Sequence, residues 1–229
     1  MSILDQVQFY CVCLINRQER IDSLNKIKEI IPDIQVIEAI DGKNFTRDDI
    51  ERYTKEGFLT PNSTGKYVDI YVHSRALNVG NLGSFLSHRK TIETIAKQTK
   101  PFGVVLEDDI VLEEGFLENL SNVIEQASVY EFDLLNLYVF ESQRNLFPTE
   151  PNLVKAPVGL WGLQCYMIRN THANKVLKAL WPMLGATDEQ ITRVGLNSYV
   201  LTGIELIKGE VIKSYTNTTR TINDLVGIK

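Results

Sequence analysis

Cysteine is scarce in this chain of 229 residues. There are three, Cys11, Cys13 and Cys165, an odd number that leaves no complete set of disulfides. Two of them lie in the strand-like run FYCVCLI, where side chains two apart share a face, so both read as core residues. A metal-binding C-x-C is the lesser alternative, and the expected setting is a reducing cytoplasm. Basic charge is also short: 24 Lys and Arg face 29 Asp and Glu, a net charge of −5. That balance argues against holding a nucleic-acid backbone through a general basic surface. No apolar run approaches the ~20 residues that span a bilayer. The opening MSILDQVQF has neither a basic n-region nor an apolar h-region, so no signal peptide is expected. Without one, the N-x-S/T sequons at Asn44, Asn62, Asn119 and Asn217 carry no weight. Internal repeats and low-complexity segments are absent too. What remains is 44% hydrophobic and 23% charged, the make-up of a globular protein expected to form one domain over residues 1–229.

The apolar spacing gives an order of elements. Phe9 to Ile15 reads as a buried strand, and Ile21, Leu24, Ile27 and Ile31 then recur at helical spacing until Pro32. IQVIEAI, Ile34 to Ile40, is a second strand ending at Asp41-Gly42. Thr46, with Asp49 three residues on, opens a helix. Residues 61–66 read as a loop. Leu82, Phe85, Leu86, Ile92, Ile95 and Ala96 line one face of a long helix, turning Ser84, Ser87, His88 and Thr91 to other faces. A third strand runs from Gly103 to Leu106, a helix follows near Phe116, and DLLNLYVF from Asp133 is another strand. Residues 141–157 read as loop, Gln164 to Ile168 as strand, and Thr171 opens a helix. GATDEQITRVGL reads as a loop entering a short helix, and the tail beyond Gly195 is weakly patterned. Alternating strands and helices imply an α/β fold with a mainly parallel central sheet flanked by helices.

In such sheets ligands collect beyond the carboxyl ends of the strands. There the sequence places Asn16 and Arg17, then Asp41, then Glu107, Asp108 and Asp109. Three consecutive acids after VVL repel one another by roughly 4 kcal/mol per pair at 4 Å and an effective dielectric near 20. Two readings compete. In one they are a solvated turn capping a helix that starts near Glu113. In the other, Glu107 and Asp109 share a divalent cation while Asp108 faces elsewhere, since residues i and i+2 of an extended peptide point to one side. His88 is either a hydrogen-bonded structural residue or a site group, and Arg17 and Arg20 are either solvated or anion-binding. Thr187, followed by Asp188 and Glu189, reads as a helix cap.

The succession INRQER, IEAIDGKNF, GNLGSFLSHRKTIE, VVLEDDI, YMIRNTHANKVL and TDEQI resembles glycosyltransferase family 25 over about Phe9 to Ile191. FLSHRK followed closely by LEDD is its most specific part. That family includes bacterial lipopolysaccharide sugar transferases and the procollagen galactosyltransferases. The resemblance implies a GT-A type fold, a nucleotide-sugar donor (a UDP-hexose), an inverting transfer with Mn²⁺ or Mg²⁺, and a glycan or hydroxylated protein as acceptor. By position it makes Asp109 a metal ligand, with Glu107 or Asp108 assisting. Asn16, Arg17, Asp41, Ser87, His88 and Asp108 fall on the donor side. Asp188 falls near the acceptor and is expected to be the catalytic base, with Glu189 as the alternative. A late histidine that often completes such metal sites has no counterpart, the last histidine being His172. A nucleotide-sugar hydrolase and a non-catalytic nucleotide- or glycan-binding domain are the rival functions.

Overall fold

The computed structural model describes residues 2–71, 75–209 and 220–228; the Asn217 sequon lies outside them. In chain order the elements are β1 (Val7–Cys13), α1 (Gln18–Ile30), β2 (Gln35–Glu38), α2 (Arg47–Lys55), α3 (Val79–Ile95), β3 (Phe102–Glu107) and β4 (Ile110–Leu112). Then come α4 (Phe116–Ala127), β5 (Leu134–Asn136), α5 (Glu141–Arg144), β6 (Asn152–Lys155), β7 (Cys165–Arg169), α6 (Ala173–Ala179), α7 (Thr187–Arg193), β8 (Ser198–Thr202), β9 (Ile207–Gly209) and α8 (Ile222–Val226).

Seven strands form one sheet in the order β2-β1-β3-β7-β5-β8-β6. β1 pairs in parallel with β2 and β3, and β5 with β8, while β7 and β6 run against their neighbours. The expected α/β architecture is therefore present, with two reversed strands. Strand alternation explains the helices on both faces. Phe9, Cys11 and Cys13 of β1, with Val104 and Leu106 of β3, pack with Leu24 and Ile27 of α1 and Leu120 and Ile124 of α4. Tyr10, Val12 and Val105 point the other way, onto Leu82, Phe85 and Ile92 of α3 and Val176 of α6. Each such aliphatic or aromatic side chain contributes roughly 1.5–3 kcal/mol by leaving water. Cys11 and Cys13 are the core thiols expected, and burial pushes the Cys13 thiol up to about 12.

Several local expectations change. DLLNLYVF is regular only at Leu134–Asn136. Residues 141–157 are not all loop, since they hold α5 and β6, and the tail supplies β8, β9 and α8. β8 is an inner strand and β6 an edge strand whose pairing register, not their residue pattern, makes them strands. No helix among the described residues is long and apolar enough to cross a membrane.

Candidate active site

The register of the parallel strands brings the rim residues level. Cys13 lies opposite Glu38, and Val12 lies opposite Glu107. The segments leaving β1, β2 and β3 therefore open on one side of the sheet. α3 comes close to the same edge through two glycines. A Cβ on Gly83 would stand 2.5 Å from the Ile40 carbonyl oxygen, and one on Gly42 would stand 1.9 Å from that of Val79. The Ser87 hydroxyl completes the junction, donating to the Gly83 carbonyl (2.7 Å) and accepting from the Ile40 N–H (2.8 Å). Ser87, His88 and Thr91 are buried rather than turned to solvent, because the helix is covered on more than its apolar stripe.

Beyond this edge lies a cavity of about 910 Å³, whose wall includes Asp41, Ser87, His88, Glu107, Asp108, Asp109 and Asp188. Arg17 reaches it indirectly, through a 2.9 Å ion pair with Asp41. Burial pushes the Asp41 carboxyl up, but the Lys43 N–H and Arg17 outweigh it and hold it below the ordinary range. Asn16 is exposed and stands outside the cavity wall.

The acidic triplet is organised by Arg20. Its Nη1 lies 2.5 Å from Asp108 Oδ1 and 3.1 Å from Asp109 Oδ2. Asp108 Oδ2 accepts the Leu14 N–H at 2.8 Å, so this side chain faces inward, as the alternation of an extended segment requires. Burial nonetheless pushes the Asp108 carboxyl up against those partners. Glu107 Oε1 is 3.0 Å from His88 Nε2, while His88 Nδ1 is 3.1 Å from the Tyr166 hydroxyl. One tautomer satisfies both contacts: Tyr166 O–H donates to Nδ1, and Nε2–H donates to Glu107. Burial pushes the Glu107 carboxyl up, with the His88 bond opposing it. The helix-cap reading of the acids fails. They run into β4, and α4 begins later, after Gly115 in the left-handed region, with no side-chain cap.

On another wall, the 161–164 loop meets α7. Gly162, at φ 98°, donates its N–H to Asp188 Oδ2 at 3.0 Å, and Asp188 Oδ1 accepts the Glu189 N–H at 2.9 Å. Glu189 Oε1 accepts the Trp161 indole N–H at 3.0 Å. Thr187 is not the cap expected: α7 is preceded by Ala186, and the Thr187 hydroxyl makes no cap bond.

The sequence model described as "Glycosyltransferase family 25 (LPS biosynthesis protein)" matches residues 6–191. The chain belongs to glycosyltransferase family 25. Among curated relatives, "Procollagen galactosyltransferase 1-B" of Xenopus laevis is 28% identical over 189 residues, covering 78% of this chain and 30% of the relative. "Glycosyltransferase 25 family member" of Drosophila melanogaster is 31% identical over 182 residues, covering 73% of this chain and 28% of the relative. The chain thus spans about 30% of the length of such relatives. Among solved structures, S. aureus TarS 1-349 in complex with UDP-GlcNAc aligns with a TM-score of 0.49 at 10% identity, over 96% of this chain and 63% of that one.

Among the described residues, no three His, Cys, Asp or Glu side chains stand together as a ready-made metal cage. What this family-25 site offers is Asp109 Oδ1, buried and without a hydrogen-bond partner in the protein. A hard cation such as Mg²⁺ is commonly held by one or two carboxylates, with phosphate oxygens and water completing the shell. The donor set fits a cation held in that way. Sequence reasoning missed the role of Arg20, which is 3% exposed. A signal was present: Arg20, Leu24 and Ile27 recur at helical spacing and share the buried face of α1. Trp161, Gln164, Arg144 and Lys208, also on the cavity wall, come from a loop, the single turn of α5 and the short strand β9, all too short to show periodicity.

Proposed function

We propose that this chain transfers a hexosyl group from a UDP-linked sugar to an acceptor hydroxyl on a glycan or hydroxylated protein, with inversion at the anomeric carbon. The observation that carries this reading is a single cavity that receives both the level ends of three parallel strands and the acids of α7. Donor and acceptor can therefore meet in one space. On the strand side, the Arg17–Asp41 pair binds the nucleotide. Asp109, assisted by Glu107, would hold Mn²⁺ or Mg²⁺, and such an ion would supply Lewis-acid compensation for the negative charge of a diphosphate leaving group. Arg20 fixes Asp108 and Asp109, and Tyr166 and His88 fix Glu107, so these carboxylates are set before the donor arrives. On the α7 side, the Asp188–Glu189 pair supplies the carboxylate that removes the acceptor proton, an effect of about 10²- to 10⁴-fold.

The test is a panel of UDP-sugars with Mn²⁺, scored for UDP release with and without sugar acceptors and for the anomeric configuration of the product. Acceptor-dependent UDP release with inversion supports transfer; equal release with water alone indicates a hydrolase. Asp109→Asn is expected to abolish turnover and the metal-dependent part of UDP binding. Full activity in excess chelator would remove the metal from the reading, and failure to bind any UDP-sugar would remove the donor.

A further inference from the structure

β3 and β5 both pair antiparallel with β7, so they run parallel to each other, and the carboxyl end of β5 opens on the same rim as those of β1, β2 and β3. Tyr138 stands two residues past that end. The tail reaches the same place by another route. β9 pairs antiparallel with β4, the strand that leaves the acidic triplet, and sets Gly209 opposite Ile110 and Lys208 opposite Val111. A Cβ on Gly209 would lie 3.6 Å from the Tyr138 hydroxyl. That hydroxyl is thus tied to a strand pair beginning one residue after Asp109, and the charges acting on it are those of Arg144, Asp109, Glu141 and Glu205.

Tyr138, Arg144 and Lys208 all line the catalytic cavity. Tyr138 is 9% exposed, yet its hydroxyl makes no hydrogen bond among the described residues. Burial pushes the phenol up and Arg144 opposes it, so the group keeps its proton and stands ready to donate. Arg144 pairs with Glu205, and Lys208 with Glu113 at 2.8 Å. Both pairs are open to solvent, which screens them, so either cation turns to a more highly charged anion at little cost. The cavity is therefore divided: carboxylates on α7, and O–H and N–H donors on the side of β5, α5 and β9.

We propose that Tyr138, Arg144 and Lys208 hold the diphosphate of the donor across the rim from the Arg17–Asp41 pair, and that Tyr138 donates a hydrogen bond to the phosphate oxygen that leaves the anomeric carbon. This rests on the function proposed above and adds the protein groups that carry its leaving group. A diphosphate fits this place better than an anionic acceptor does. The donors surround the neighbourhood of Asp109, whereas an anionic acceptor would meet the α7 carboxylates. In the transfer, the bond from the anomeric carbon to the diphosphate oxygen breaks and its electron pair stays on that oxygen. The acceptor oxygen bonds to the same carbon, and its proton passes to the α7 carboxylate. Tyr138 keeps its own proton, and its hydrogen bond strengthens as charge grows on the departing oxygen. Arg144 and Lys208 answer the charge on the other phosphate oxygens.

The test is isothermal titration of the full chain with UDP, uridine and inorganic pyrophosphate, each in excess chelator and again with Mn²⁺. The parent is expected to bind UDP more tightly than uridine even in chelator, because the three donors act without a metal. Arg144→Ala should weaken UDP and pyrophosphate about tenfold and leave uridine unchanged; Lys208→Ala should do the same to a smaller extent. Glu205→Gln releases Arg144 and should tighten UDP severalfold. Tyr138→Phe keeps the ring packed, and should weaken UDP less than tenfold while lowering kcat about 10²-fold, since its bond matters most as the leaving group departs. The proposal is overturned if Arg144→Ala and Tyr138→Phe bind UDP and pyrophosphate as the parent does, or if uridine weakens along with UDP. It is also overturned if the variants raise only the KM for the acceptor, which would assign the cations to an anionic acceptor. Should Tyr138→Phe fail to fold, Arg144→Ala decides alone. Loss of pyrophosphate binding in the variants, with a parent that binds UDP no better than pyrophosphate, would sink the nucleotide donor and leave the anion site standing.

Discussion

Replacing Arg20 by leucine isolates the group that makes the acidic triplet compatible with folding. The guanidinium is 4% exposed and Asp108 is 8% exposed, at 2.5 Å; Asp109, at 3.1 Å, is 23% exposed. Removing one partner of a buried ion pair costs about 3–5 kcal/mol, because the other charge stays buried without compensation. Asp108 keeps its Leu14 N–H, and Asp109 is closer to water, which holds the expected loss to that range despite two carboxylates being affected. Against a total stability of about 5–15 kcal/mol this is severe, and at this chain length it lowers Tm by roughly 10 °C. The loss should depend on pH with a definite sign. Burial already raises the Asp108 carboxyl, so the folded state binds its proton more readily than the unfolded chain does. Such a group gains stability as pH falls through its folded pKa, and loss of Arg20 raises that pKa further. The deficit of Arg20→Leu relative to the parent should therefore shrink from about pH 7.5 to about pH 5. Urea unfolding across that range measures it, and Arg20→Lys, which keeps the charge without the fork, should lose less. A loss below about 1 kcal/mol, or one independent of pH, would refute a charge-compensating role for Arg20.

Three further outcomes follow from the same geometry. Arg17→Ala and Asp41→Ala should each weaken UDP binding; unliganded stability should fall by no more than about 1 kcal/mol for Arg17→Ala and by about 1–3 kcal/mol for Asp41→Ala, whose 6% exposed side chain also accepts the Lys43 N–H; because the Asp41 carboxyl is held low, its contribution is present at neutral pH and lost as acid protonates it, and unchanged UDP affinity in both variants would exclude this pair from the donor site. Asp188→Asn keeps one acceptor but aims an amide at a backbone N–H, so isothermal titration should find normal UDP binding while turnover drops about 10- to 100-fold through the displaced loop; a rate near that of the parent would remove Asp188 from the machinery. Gly83→Ala, which in an open helix would stabilise by about 1 kcal/mol, should instead destabilise by about 1–3 kcal/mol because its methyl meets the Ile40 carbonyl, and a raised Tm would show that α3 and the turn after β2 do not touch.

Much of the front of the molecule was legible in the residues. β1, β2, β3, α3 and α4 are carried by dense apolar patterns, and their local signals act within a few residues of one another. The Thr46–Asp49 capping box formed as its spacing implies. The convergence of Asp41 with the acidic triplet followed from strand order alone, because parallel strands joined by helices open their carboxyl ends on one side. The back was different. β6, β8 and β9 are short, two are only half-buried, and they become strands through partners far away in sequence. Partner choice also decided the electrostatics. The run EDD states that three charges are close but not what answers them, and packing of α1 against the strand ends brought in Arg20 rather than leaving the acids to a cation alone. The same holds for Thr187, which has the composition of a helix cap and instead lines a cavity, and for Trp161, whose place beside Glu189 depends on a loop pinned across 26 residues to Asp188. Local sequence determined which segments bury their faces; the pairing of segments distant in the chain determined which polar groups those faces carry to a common space.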